Sequence, residues 1–213
     1  MSDRDSILST LRRQLRPAAH PPAWTSRRAF ADLAERFCAA LAAAHGEPHR
    51  VHSLAEALDL LDRLLADLAV RRAVVNAEPP LSDLDLAGRW PAIAWHVVGR
   101  TAGDLRAFCA AADVGLSMAD AALAETGTVV VSSGPGKSRL ATLLPPVHIA
   151  LVPATRLTAD LFTWTAGRTV PLPANVVLIS GPSKTADIEQ TMAIGVHGPK
   201  RFIAVLYSDD QAD

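Results

Sequence analysis

The chain has 213 residues, enough to bury a substantial core in one domain of slightly more than usual size. Apolar residues make up 49% and charged residues 20%, with a formal net charge of −1, which excludes intrinsic disorder and leaves no basic field to condense on a phosphate backbone. Nucleic acid is therefore not an expected partner.

The spacing of Ile7, Leu8, Leu11 and Leu15 predicts an N-terminal helical arm, and Arg16-Pro17 with Pro21-Pro22 predicts a stiff linker. Arm and linker occupy residues 1–26, ahead of a single α/β domain over 27–213. A longer helix is expected over 27–45, with Phe30, Leu33, Phe37 and Leu41 on one face and Gly46 just past its end. A short strand over 50–52 then leads to Ser53 and Glu56, the two members of a capping box, followed by Leu54, Leu58, Leu61, Leu65 and Leu68 at helical intervals.

Strands are expected over 73–76 and 92–98, separated by a Pro/Asp-rich loop, and a helix over 103–112. After Asp113 the chain reads as short apolar strands at 114–116, 128–131, 147–152, 176–179 and 202–206, divided by loops rich in Gly, Pro, Ser and Thr. The alternation predicts an open, mixed but mainly parallel sheet with helices on both faces. In such a sheet ligands sit beyond the carboxyl ends of the strands, so the loops that follow strands carry the functional interest.

The apolar runs, such as Val129-Val130-Val131 and Val176-Val177-Leu178-Ile179, are far shorter than the roughly 20 residues of a membrane helix. The N-terminus also lacks the apolar centre of a secretion signal, so a cytoplasmic protein is expected. Two cysteines, Cys38 and Cys109, stand apart in helical stretches, and no metal or cluster site is expected on this chain.

The turn Glu125-Thr126-Gly127-Thr128 enters a strand with a glycine between two hydroxyl side chains. Glycine lets a backbone approach a ligand, and Glu125 is a candidate base, nucleophile or hydrogen-bond acceptor. A polar turn entering a strand is the plainer account. The next loop, Ser133-Gly134-Pro135-Gly136-Lys137-Ser138-Arg139, ends like a nucleotide P-loop, yet Val131 stands where that motif needs its first glycine. What remains is a glycine turn with backbone N–H groups and two cations, a candidate seat for phosphate or carboxylate at Gly134, Gly136, Ser138 and Arg139.

His148, at the start of an apolar strand, is a weak catalytic candidate that reads more readily as a structural histidine, and Arg156 just beyond that strand is placed to clamp a carboxylate. Ser180-Gly181-Pro182-Ser183-Lys184-Thr185 follows the strand at 176–179; Ser183 or Thr185 is expected to cap a helix whose first turn holds Asp187 and Glu189. Ser180, Gly181, Ser183 and Thr185 are candidate ligand contacts. In Gly195-Val196-His197-Gly198-Pro199 the glycines bend the backbone around His197, a second weak catalytic candidate, with Gly198 beside it. One cleft lined jointly by the segments of Glu125, Gly136, Ser183 and His197 is expected.

Five ordered motifs carry a resemblance: Ala119-Asp120-Ala121-Ala122-Leu123-Ala124-Glu125-Thr126-Gly127-Thr128, Ser133-Gly134-Pro135-Gly136 with Arg139, Leu144-Pro145-Pro146-Val147-His148, Ile179-Ser180-Gly181-Pro182-Ser183 with Thr185-Ala186-Asp187-Ile188-Glu189, and Gly195-Val196-His197-Gly198-Pro199. Together they resemble the lactate-utilisation protein C family (LutC/YkgG), whose shared unit is the LUD domain. Lys137-Ser138 departs from the Gln-Gly frequent in that loop.

The resemblance implies a fold similar to the NagB/RpiA/CoA-transferase-like group. It also implies a part in a system that oxidises L-lactate to pyruvate, with iron–sulfur clusters carried by partner proteins and none by this chain. A small carboxylate or phosphate-bearing metabolite is the implied ligand, and self-association is left open. Two other readings remain beside it: a stand-alone enzyme of the same fold group, acting on a CoA ester, sugar phosphate or folate-like acid through Glu125, and a non-catalytic metabolite sensor or assembly factor.

Overall fold

The computed structural model describes residues 2–14, 24–168, 173–186 and 192–209. Helix α1 (Asp3–Gln14) opens on Asp3 and Asp5 and closes on Arg12 and Arg13, charges that complement a helix dipole, but it buries none of its side chains. Pro17, Pro21 and Pro22 of the expected linker lie outside the described residues. Helix α2 (Leu33–Ala43) starts later than apolar spacing implies, because the Asp32 carboxylate accepts the N–H groups of Ala34 and Glu35 and so sets the first turn.

Strand β1 (Glu47–Val51) leads into α3 (Leu54–Asp67) through the expected capping box. Ser53 Oγ accepts the Glu56 N–H at 3.1 Å, and the Glu56 carboxylate accepts the N–H of His52 at 2.9 Å, one residue ahead of the usual return bond. Then follow β2 (Arg72–Val75), α4 (Leu86–Arg89), β3 (Ala94–Val97), α5 (Leu105–Ala111), β4 (Val114–Met118), β5 (Ala121–Leu123), β6 (Thr128–Ser132), α6 (Leu140–Leu143) and β7 (Val147–Pro153). The remaining elements are β8 (Leu157–Thr158), α7 (Leu161–Ala166), β9 (Val176–Ile179), β10 (Lys184–Ala186), β11 (Met192–Ile194) and β12 (Arg201–Tyr207).

Strands β1, β12, β7, β4, β2 and β3 lie side by side in that order, and every neighbouring pair is parallel. Successive side chains of a strand face opposite sides, and β12 shows the consequence. Ile203, Val205 and Tyr207 join Leu61 and Leu65 of α3, while Phe202, Ala204 and Leu206 join Phe37 and Leu41 of α2 together with Val129 and Val131 of β6. Strand β7 is buried along its whole length, which is why it reads as an unbroken apolar run rather than an alternation. The molecule is thus a mixed α/β fold, a parallel sheet flanked by helices.

A second sheet, in the order β8-β5-β6-β9, departs from the expected single sheet. The strands expected at 128–131 and 176–179 exist as β6 and β9, but β6 pairs antiparallel with both β5 and β9. The physical reason is the connection: the turn joining β5 to β6 is far too short for the crossover that a parallel neighbour requires. Where a helix was expected after Ser183, β10 and β11 pair antiparallel, with Thr185 inside β10; Asp187 and Glu189 lie outside the described residues.

From β2 the chain crosses to β3 on one side, then returns through α5 to β4 on the other. Strand order therefore reverses between β2 and β4. The crevice beyond the carboxyl ends of these two strands is where open α/β sheets place ligands.

Candidate functional site

Past β2 the chain runs Asn76-Ala77-Glu78-Pro79, and past β4 it runs Ala119-Asp120, so one carboxylate flanks each side of the reversal point. The turn after β6 brings a cation to both. Gly136, at φ +70°, accepts the Ala77 N–H on its carbonyl at 2.8 Å, and the Ser138 N–H donates to Asn76 Oδ1 at 3.0 Å, which stitches the turn to the end of β2. Lys137 Nζ consequently lies 2.8 Å from Glu78 Oε1 and 2.6 Å from Asp120 Oδ1. Arg156, beyond β7, donates Nη1 to the Asp120 carbonyl oxygen at 3.3 Å, and Tyr207 ends β12 at the same edge. These groups line a cleft of about 390 Å³.

Burial pushes the Glu78 carboxyl above the usual carboxylate range, and the Lys137 ammonium only partly offsets it. For Asp120 burial also pushes upward, but hydrogen bonds from Lys137 and Ser132 outweigh it and hold the group low. Burial depresses Lys137 in turn, while Asp120 and Glu78 together hold it above its ordinary value. At neutral pH the site is a lysine cation and an aspartate anion beside a glutamate that takes a proton more readily than usual.

Among the described residues, neither Glu78 Oε2 nor Nδ2 of the fully buried Asn76 has a hydrogen-bond partner. A buried acceptor left unpaired costs free energy that a ligand donor or a proton relieves. Burial raises the Tyr207 hydroxyl to about 12, so it stays neutral. The exposed guanidinium of Arg156 lines the cleft, where it can meet a carboxylate, and Glu78, lining the same cleft, can exchange a proton.

Among the described residues, the segments of Glu125, Gly136, Ser183 and His197 divide among several places rather than lining one cleft. The turn Glu125 to Thr128 is docked on α2: the Glu125 carboxylate pairs with Arg28, its carbonyl accepts Arg36 Nη2 at 2.9 Å, and a Cβ on Gly127 would lie 2.1 Å from Leu41 N. Thr126, Thr128 and Ser180 form a chain of hydroxyl contacts at 2.6 and 2.7 Å, so this turn and the Ser180 loop do meet. Ser180, Gly181, Ser183, His197 and Gly198 line a separate cleft of about 180 Å³ beside β9. Gly134, Gly136 and Ser138 belong to the turn that delivers Lys137, with exposed Arg139 opening α6.

Because Glu125 and Arg28 are a partly exposed pair, Glu125→Gln is expected to cost less than about 1 kcal/mol in urea unfolding; a larger loss would show that the pair holds the turn in place. His148 lies wholly inside the parallel sheet, 2.9 Å from Ser117 Oγ and stacked on Phe202. Burial depresses its imidazole to about 3, below its ordinary 6.5. A lowered folded-state value contributes stability above 6.5 that is lost as pH falls toward 3. His148→Leu should therefore cost about 1–3 kcal/mol at pH 7, where Ser117 loses its partner, and the deficit should shrink by pH 4. A deficit independent of pH in urea titrations would contradict a neutral buried imidazole.

Sequence reasoning passed over Glu78, Asp120 and Lys137 as a site. Two signals were present: Glu78 sits in a loop directly after a strand, and Asp120 is the second residue of the first of the five resemblance motifs. The dense prolines around Glu78 read as a plain connector, and Lys137 read as one of two cations of a glycine turn, without its carboxylate partners.

A model of the LUD domain matches residues 34–207. Lactate utilization protein C of Halalkalibacterium halodurans is 34% identical over 156 residues, covering 70% of this chain and 68% of that protein. Its namesake in Exiguobacterium sp. is 45% identical over 46% of this chain and 45% of that protein, and the one in Bacillus subtilis is 38% identical over 46% and 43%. These last two alignments span less than half of the relatives' length. Among solved structures, a DUF162 family protein from Deinococcus radiodurans aligns with a TM-score of 0.55 at 19% identity, over 82% of this chain and 96% of that one, a likeness of fold. The family model runs from the start of α2 to the end of β12, through both sheets and the Glu78–Lys137–Asp120 crevice, and the chain belongs to the LUD-domain family, with the lactate-utilisation C proteins.

Proposed function

We propose that the chain is a component of an L-lactate utilisation system, acting with iron–sulfur partner proteins in the oxidation of lactate to pyruvate. Its part is to bind a small carboxylate or related anion in the crevice between Glu78, Asp120, Lys137 and Arg156. The observation that carries the reading is the relation to proteins named for lactate utilisation, 34% identical over 156 residues in the first of them. The crevice supplies suitable chemistry: Arg156 meets the carboxylate, Lys137 holds the local charge, and Glu78 accepts or returns a proton.

Electron transfer falls to the partners in this scheme. Cys109 is buried, and burial pushes its thiol up to about 11, which disfavours the thiolate that a cluster needs. The finer likeness to the NagB/RpiA/CoA-transferase-like group and a cytoplasmic location belong to the same proposal. No helix among the described residues is long and apolar enough to cross a membrane.

Deleting the gene from its own organism and measuring growth on L-lactate tests the reading. Growth should fail and return when the full chain is restored. Unchanged lactate consumption in the deletion strain would overturn it.

A further inference from the structure

The crevice does not end at Pro79 and Pro80. A second lobe of about 480 Å³ opens along the same edge of the sheet, between Ser53 and Leu54 at the start of α3 and Asp83, Ser208 and Asp209. Pro79, Pro80 and Tyr207 line both lobes, so the two adjoin along this edge. A three-carbon hydroxy acid occupies only a corner of such a space, whereas clefts of about 300–1,000 Å³ hold ligands of drug size.

Charge and shape differ between the lobes. The first holds the cations Lys137, paired with Glu78 and Asp120, and Arg156; among the described residues, the second is lined by no cation. Its walls include Pro79, Pro80, Leu54 and the edge of the mostly buried Tyr207, apolar side chains of the kind that suit a planar ring. Its rim carries two carboxylates. Asp209 is already occupied by the N–H and hydroxyl of Thr155, but the exposed Asp83 carboxylate, which among the described residues accepts only the neighbouring Ser82 hydroxyl at 3.0 Å, has acceptor capacity to spare.

We infer that the crevice is a two-lobed site for an anion-headed ligand of mononucleotide size, its head beside Arg156 and Lys137 and its planar ring against Pro79, Pro80 and Tyr207 with ring N–H groups toward Asp83. The inference rests on the anion site proposed above and enlarges what that site holds.

Calorimetry on the full chain tests it with guanosine monophosphate and flavin mononucleotide, each bearing a phosphate and a ring N–H, beside L-lactate. At least one nucleotide should bind ten or more times tighter than L-lactate. Ser208→Trp, which fills the second lobe, should weaken that nucleotide at least tenfold and leave L-lactate binding unchanged; Asp83→Leu, on the exposed rim, should weaken it severalfold if the tryptophan variant does not fold. Arg156→Gln should weaken both kinds of ligand. Failure of both nucleotides to bind, or a nucleotide affinity indifferent to the second-lobe variants, overturns the inference. If L-lactate binding still depends on Arg156 in that case, the small-anion reading stands alone; if Arg156→Gln changes nothing, the anion site itself is misplaced.

Discussion

Lys137→Met should destabilise the fold by about 3–5 kcal/mol at pH 7, the cost of leaving two mostly buried carboxylates facing each other without their shared cation. Methionine keeps the length of the side chain and removes only its charge, so lost packing contributes little. The pH dependence carries the mechanism. In the native protein Asp120, held low, contributes stability that is present above its ordinary 3.8 and lost as pH falls through its folded value. Glu78, held high, contributes in the opposite sense: its share is complete below 4.5 and is lost as pH rises through its folded value.

Without Lys137 the repulsion between the two carboxylates disappears once they are protonated. The deficit of the variant should therefore narrow markedly between pH 7 and pH 4. Adding Glu78→Gln to Lys137→Met should recover much of the loss at pH 7, because one of the two stranded charges is gone. Urea unfolding of the three proteins at both pH values decides; a Lys137→Met protein as stable as the native one at pH 7 would show that the buried triad is not assembled as described.

Gly127→Ala is expected to cost about 3 kcal/mol, the upper end of the overpacking range, because the new methyl meets backbone rather than a movable side chain. Its Cβ would stand 2.1 Å from Leu41 N and 2.5 Å from Leu41 Cα, so α2 must shift off the second sheet. The position also has φ +63°, where an alanine is strained before any clash. For a chain of this size that is a fall in Tm of about 6–12 °C. A fall of a degree or two would mean that α2 is not seated on this turn.

The same geometry explains why the turn stands out in the sequence. Glycine between two threonines at 126–128 is a packing requirement, with the hydroxyls bonded to each other and to Ser180, and the neighbouring glutamate is an ion-pair partner of Arg28. A glycine demanded by the close approach of a helix and one demanded by a ligand are indistinguishable without the fold.

Local elements were legible where one signal dominated. The capping box at Ser53 and Glu56 and the leucine spacing behind it set α3, and the apolar runs of β7 and β12 announced strands buried on both faces. The short helices α4 and α6 span four residues each, too few for a helical period to register. Which sheet a strand joins depends on long-range pairing, and β6 and β9 carry the same valine-rich signature in either sheet.

The site was legible only in part for the same reason. The rule that loops after strands carry function singled out the turn from Gly134 to Arg139, but Lys137 meets Glu78 and Asp120 only through the placement of β2 and β4. Arg156 was recognised as a possible clamp from its place after β7, and it lines the crevice.

The central claim is that function resides in the crevice beyond β2 and β4 rather than at the Glu125 turn. Lactate consumption by strains whose own copy is replaced with Arg156→Gln or with Glu125→Gln, at matched protein levels, tests it most directly. The account predicts that Arg156→Gln abolishes consumption and Glu125→Gln leaves it near normal; the reverse pattern would contradict it.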